Sequence, residues 1–129
     1  MARIDNDQAL LDAVARAAHE ANRAYRRMIG QDEGLAWDLA DPSTQACVRD
    51  GVRAVFNDYV VTPAECHERW VERMHSSGWV FGPEKNTATK THPCLVNWYD
   101  LPNEEKAKDE LFLEVVGNLR HAFLMVEGL

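Results

Sequence analysis

Thr62-Pro63-Ala64-Glu65 dictates where a helix must begin, and the residues that follow leave the chain few choices as far as Trp98. The Thr62 hydroxyl can accept the Glu65 amide, Pro63 has the φ of a first helical position, and the Glu65 carboxylate can reach back to the Thr62 amide. A helix is therefore predicted from about Pro63. At about 100° per residue, His67, Trp70, Val71 and Met74 share one face, while Glu65 and Arg69 are spaced to pair on the opposite face. Gly78 suits the left-handed residue that ends such a helix. Trp79-Val80-Phe81 has the aromatic and β-branched content of a short strand, which Gly82-Pro83 terminates. Beyond a polar loop over residues 82–91, Cys94-Leu95-Val96 reads as a second strand. The two are predicted to pair antiparallel, as a hairpin with a long polar tip.

The flanks read as helices. One is expected from about Asn6 to Met28, stopped by Gly30, with Leu11, Val14, Ala18, Ala21, Tyr25 and Met28 as its apolar stripe. His19, Asn22 and Arg26 border that stripe, where side chains either line a pocket or stand as solvated flanks. Residues 31–43 form an acidic connection that Trp37 anchors to the core. A second helix from about Pro42 to Asn57 buries Val48, Val52, Val55 or Phe56, and Tyr59, with Gly51 either a weak point or a close-packing point. After Leu101-Pro102, a last helix buries Leu111, Val115, Leu119 and Phe123. The expected fold is α+β: a mainly helical single domain over residues 1–129, with about four helices and a small antiparallel β-hairpin, residues 1–61 supplying the N-terminal helices.

Charge and cysteine usage narrow the partners. A net charge of −7 over 129 residues argues against a nucleic-acid backbone, which needs a basic face to displace counterions. No run of about 18 apolar residues is present to span a membrane, and the acidic start MARIDNDQALL is unlike a signal peptide. The three cysteines form no CxxC pair, which fits a reducing, cytoplasmic compartment.

The chemistry-bearing residues support binding better than catalysis. Cys66-His67 and His92-Pro93-Cys94 supply the ligand types of a zinc site without its spacings, so no metal and no cofactor is expected. A cysteine nucleophile with a histidine base lacks any placed orienting group or oxyanion hole, so no enzymatic activity is assigned. Trp70 and Trp79 flank a tight turn and can bring two indoles near one surface, where flat rings stack on bases. The same spacing suits two core aromatics. His67 adds a polar edge one turn before Trp70, and Lys85 and Lys90 on the loop can meet phosphates, as can His19 and Arg23 from the first helix.

Four blocks in order resemble the repeat domain of ryanodine receptors, the RyR family. They are His67-Glu68-Arg69-Trp70, Gly78-Trp79-Val80-Phe81-Gly82-Pro83, Lys90-Thr91-His92-Pro93-Cys94-Leu95-Val96 and Leu101-Pro102. The resemblance runs over about 62–116 as the repeat core, and His19 to Tyr25 is similar to the extra helix of single-repeat bacterial and phage members. The chain departs from the pattern at Phe81, where Tyr is common, at Asn97-Trp98, and at Met74, where many members carry Lys or Arg. The resemblance implies a nucleotide-type ligand, an adenine nucleotide, ADP-ribose-like or cyclic species, with His67 and Trp70 as contacts. It also implies a homodimer standing in for the receptors' tandem pair. The alternatives are a protein-interaction module using the Trp70/Trp79 surface and an enzyme acting on the nucleotide.

Overall fold

The computed structural model describes residues 7–127. Four helices carry the fold: α1 (Gln8–Met28), α2 (Pro42–Phe56), α3 (Pro63–Ser76) and α4 (Asn103–Glu127). Between α3 and α4 lie two short strands, β1 (Val80–Phe81) and β2 (Thr91–His92). The expected start of the first helix at Asn6 lies outside the described residues. Asp7 is its N-cap and accepts from the Leu10 amide at 3.0 Å. Asp41 and Thr62 cap α2 and α3 in the same way, each followed by Pro at the first turn.

The core lies where α1, α2 and α4 meet. Leu11, Val14, Ala15 and Ala18 of α1 pack with Val52, Val55 and Phe56 of α2 and with Val116 of α4. The last turn of α1 escapes this layer, so Met28 is 82% exposed, and Tyr59, just past α2, is 71% exposed. Both were expected to be buried, but each lies where its helix has run out past the facing one. The buried stripe of α4 also differs from expectation. Phe112, Leu113, Val115 and Phe123 pack around Val116, while Leu119 reaches the surface. An apolar helix that faces three others gives no clean period, so the sequence offered several registers of similar quality.

Trp37 is buried, as expected, at the start of a 3₁₀ turn over Trp37–Leu39. Its amide donates to Glu20 Oε2 at 3.0 Å, its carbonyl accepts from Gln45 Nε2 at 2.7 Å, and Arg49 lies over its ring. The 29–41 connection is thereby tied to both α1 and α2.

The strands pair in parallel, Val80 opposite Thr91 and Phe81 opposite His92, and not as the expected antiparallel hairpin. The chain reverses twice between them. It turns after Gly82-Pro83, then reverses again in a tight loop closed by Asn86 N–H to Thr91 O at 3.0 Å and Thr91 N–H to Asn86 O at 3.1 Å. Two reversals restore the original direction. Cys94–Val96 is a turn and not the second strand: Pro93 has no N–H to give a ladder, the Cys94 amide donates to His92 Nδ1, and Leu95 is used for burial. The predicted Glu65–Arg69 pair is also replaced. Glu65 stays in the N-terminal cap of α3, accepting from the Val61 amide and the Thr62 hydroxyl, and Arg69 crosses to Asp50 of α2 at 2.9 and 3.1 Å.

Gly51 is the close-packing point between α2 and α4. A Cβ there would stand 2.9 Å from Phe112 Cζ, so Gly51→Ala must push the ring aside. Displacing a packed ring costs about 1–3 kcal/mol, against about 1 kcal/mol gained in helix propensity. A net loss of about 1 kcal/mol is expected, seen as a lower urea midpoint; an unchanged or raised midpoint would show that Phe112 moves freely.

Candidate functional site

The face of α3 formed by Cys66, Arg69, Trp70 and Arg73 follows the i, i+3, i+4, i+7 pattern of one helix side. It looks across a cleft of about 180 Å³ at Cys47, Asp50 and Gly51 of α2, and at Lys108, Asp109 and Phe112 of α4, with Asn22 of α1 closing one end. Gly51 and Phe112 contribute apolar lining, and Trp70 supplies a half-buried indole.

Three cations line this cleft in different states. Arg69 is held by Asp50, and Lys108 donates to Glu105 Oε2 and Gln31 Oε1, both at 2.7 Å. Arg73 has no ion pair or side-chain hydrogen bond among the described residues, and its charge acts on the Cys47 thiol across the groove. The Asn22 Oδ1 acceptor is buried and has no donor among the described residues.

Burial sets the protonation of the site. It pushes the Asp109 carboxyl up to about 7, Glu105 adding to the rise and the facing Trp98 N–H opposing it without closing a short hydrogen bond. Burial likewise raises the Cys66 thiol to about 12 and lifts Cys47. Both cysteines are therefore held as weakly nucleophilic thiols. Behind Trp70, His67 is 4% exposed and its Nε2–H donates to the Val96 carbonyl at 2.7 Å. In the neutral ring this leaves Nδ1 as a lone pair, 3.9 Å from Asp109 Oδ2. Among the described residues, no group of three or more His, Cys, Asp or Glu is placed to hold a metal ion, and no helix is long and apolar enough to cross a membrane.

Of the residues expected at a binding site, Trp70 and Asn22 meet in the cleft and the others do not line it. His67 packs under Trp70, ring centroids 5.5 Å apart. The two indoles do not share an open slot, because His92 sits between them at 5.1 Å from Trp70 and 6.4 Å from Trp79. Burial, with Lys85 nearby, holds the His92 imidazole below its ordinary value. Lys85 itself is exposed, and Lys90 Nζ donates to Ser77 O at 2.8 Å, closing the C-terminus of α3. His19 Nε2–H donates to Leu35 O at 2.8 Å, and Arg23 pairs with Glu20 at 2.6 Å and Glu33 at 3.7 Å, so both fasten the 29–41 connection. Sequence reasoning missed Arg73, Lys108 and Asp109. The signal for Arg73 was present, since it stands at i+3 from Trp70 on one helix face. Lys108 and Asp109 could come only from the packing of α4 against α3.

A family model described as RyR domain matches residues 57–120. The match covers α3, the strands and most of α4, the segment that holds all but the α1 and α2 walls of the cleft.

The raised Asp109 carboxyl makes stability depend on pH. Its folded value of about 7 stands above the ordinary 3.8, so the folded state binds the proton more tightly than the unfolded chain. That stabilisation is complete below 3.8 and is lost as pH rises through about 7. Between pH 5 and pH 8 this group alone should lower stability by up to about 3 kcal/mol. Asp109→Asn should flatten that decline and leave the variant more stable than the parent at pH 8. Denaturant titrations of both at the two pH values measure it, and parallel pH profiles would remove Asp109 as the source.

Proposed function

This chain belongs to the RyR domain family, and on that premise we propose that it is a non-catalytic binding module for a nucleotide or nucleotide-derived signal, with the cleft between α2, α3 and α4 as its site. The observation that carries this is the buried Asn22 Oδ1, without a donor among the described residues, in the same cleft as the Trp70 indole and as Arg73, which has no ion pair among those residues. A buried acceptor without a donor costs about 1–3 kcal/mol, which a ligand N–H removes. An exocyclic amino group on a base that stacks on Trp70 brings that donor, and Arg73, one turn further along α3, meets an anion. Such a module senses or sequesters its ligand without converting it. His67 and His92 pack against the Trp70 ring, and Trp79 packs against His92 on its other side, so these residues act by holding the ring.

The experiment is thermal unfolding with adenosine, AMP, cyclic AMP and ADP-ribose. Ligand at 100 times its Kd should stabilise the fold by ~2.7 kcal/mol, and Trp70→Ala should weaken binding by at least ~1 kcal/mol while a folded protein remains. No shift with any of the four would end the nucleotide reading. It would favour the second one, in which Val80 and Phe81, 54% and 58% exposed beside Trp79, dock another protein.

We also propose that two copies associate. The last turns of α4 leave Leu124, Met125 and Val126 at 52%, 61% and 68% exposure, an apolar run that a second copy can cover. Light scattering at micromolar concentration should give twice the chain mass, and a monomer at all concentrations would overturn the dimer.

A further inference from the structure

The charges that line the cleft are uneven, and this limits what the ligand can carry. Resting on the nucleotide reading above, we infer that the cleft takes a ligand with one anionic group, a nucleoside monophosphate or phosphodiester, and discriminates against polyphosphate chains. Of the three cations facing it, Arg69 is bound through two hydrogen bonds to Asp50. Lys108 is bound to Glu105 and Gln31 and is only 17% exposed. Arg73 alone has no partner among the described residues. A second phosphate would have to strip Asp50 from Arg69 or Glu105 from Lys108. Either exchange leaves a carboxylate unpaired beside a new anion, in a cleft that also holds the Asp109 carboxyl. The chain's net charge of −7 adds repulsion for every further negative charge.

The spacing fits the same conclusion. Trp70 and Arg73 are three residues apart on α3, ~4.5 Å along the axis, and with the reach of an arginine side chain this covers a ribose and one phosphate. A planar guanidinium favours the two-oxygen grip that a terminal phosphate or a phosphodiester presents. Arg73 is half-buried and lines the cleft together with Cys47, so its side chain belongs to the cleft wall.

The test is calorimetric titration of adenosine, AMP, cyclic AMP, ADP and ATP into the full chain at low ionic strength, without divalent cations. One charge-assisted contact should make AMP about tenfold tighter than adenosine, with ADP no tighter than AMP and ATP weaker. Arg73→Gln, checked for folding by its thermal transition, should bring the AMP-to-adenosine ratio to within about twofold, and Arg73→Lys should restore part of it. Affinity rising from AMP through ADP to ATP would overturn the single-anion inference while leaving the nucleotide reading intact, as would an unchanged ratio in Arg73→Gln. Failure of all five ligands to bind would sink the nucleotide reading and the inference with it.

Discussion

The Nε2–H of His67, almost wholly buried, donates to the Val96 carbonyl, and the orientation of α3 depends on that bond. A buried imidazole without a partner would cost more than the bond returns, so α3 is held at the rotation that keeps it made. At that rotation the adjoining side of the helix, Cys66, Arg69, Trp70 and Arg73, faces α2 and α4. The same bond fixes the turn after β2, because Val96 follows directly on Leu95, which is buried. The position of His92 between the two indoles follows from that turn.

Helix packing then decides the shape of the cleft. α1 and α2 close tightly over Leu11, Val14 and Val52, and Gly51 lets Phe112 of α4 come within van der Waals reach of the α2 backbone. Further out the side chains are polar and long, and the helices part. The Arg69–Asp50 pair bridges α3 to α2. The Lys108–Glu105–Gln31 cluster bridges α4 to the chain just past α1. Most of the cleft's charge is consumed in holding its own walls, and Arg73 is the lining cation that has no ion pair among the described residues.

The polar groups around Asp109 show how burial and electrostatics combine. Its carboxyl sits 3.9 Å from Nδ1 of His67 and faces the Trp98 N–H, with Glu105 adding like charge. Low exposure and a neighbouring acid favour the protonated form, so near neutral pH the back of the cleft carries less negative charge than its composition suggests.

Local rules in the sequence determined the helices and their caps. Thr62-Pro63 and Asp41-Pro42 start helices because capping acts within one turn, and Gly78, at φ +89°, ends α3 for the same local reason. The RyR blocks also identified the family, and Trp37 was legible as an anchor, whereas for Trp70 the sequence left a stacking ring and a core aromatic both open. Only the tertiary structure decided the parallel pairing of β1 with β2, since two reversals of the loop look no different in sequence from one. It also decided that His92 separates Trp70 from Trp79, that Lys90 caps α3, and that His19 and Arg23 fasten a connection. The partner of a long polar side chain is set by whichever backbone or carboxylate packing brings within about 3 Å, and no periodicity along the chain encodes that distance.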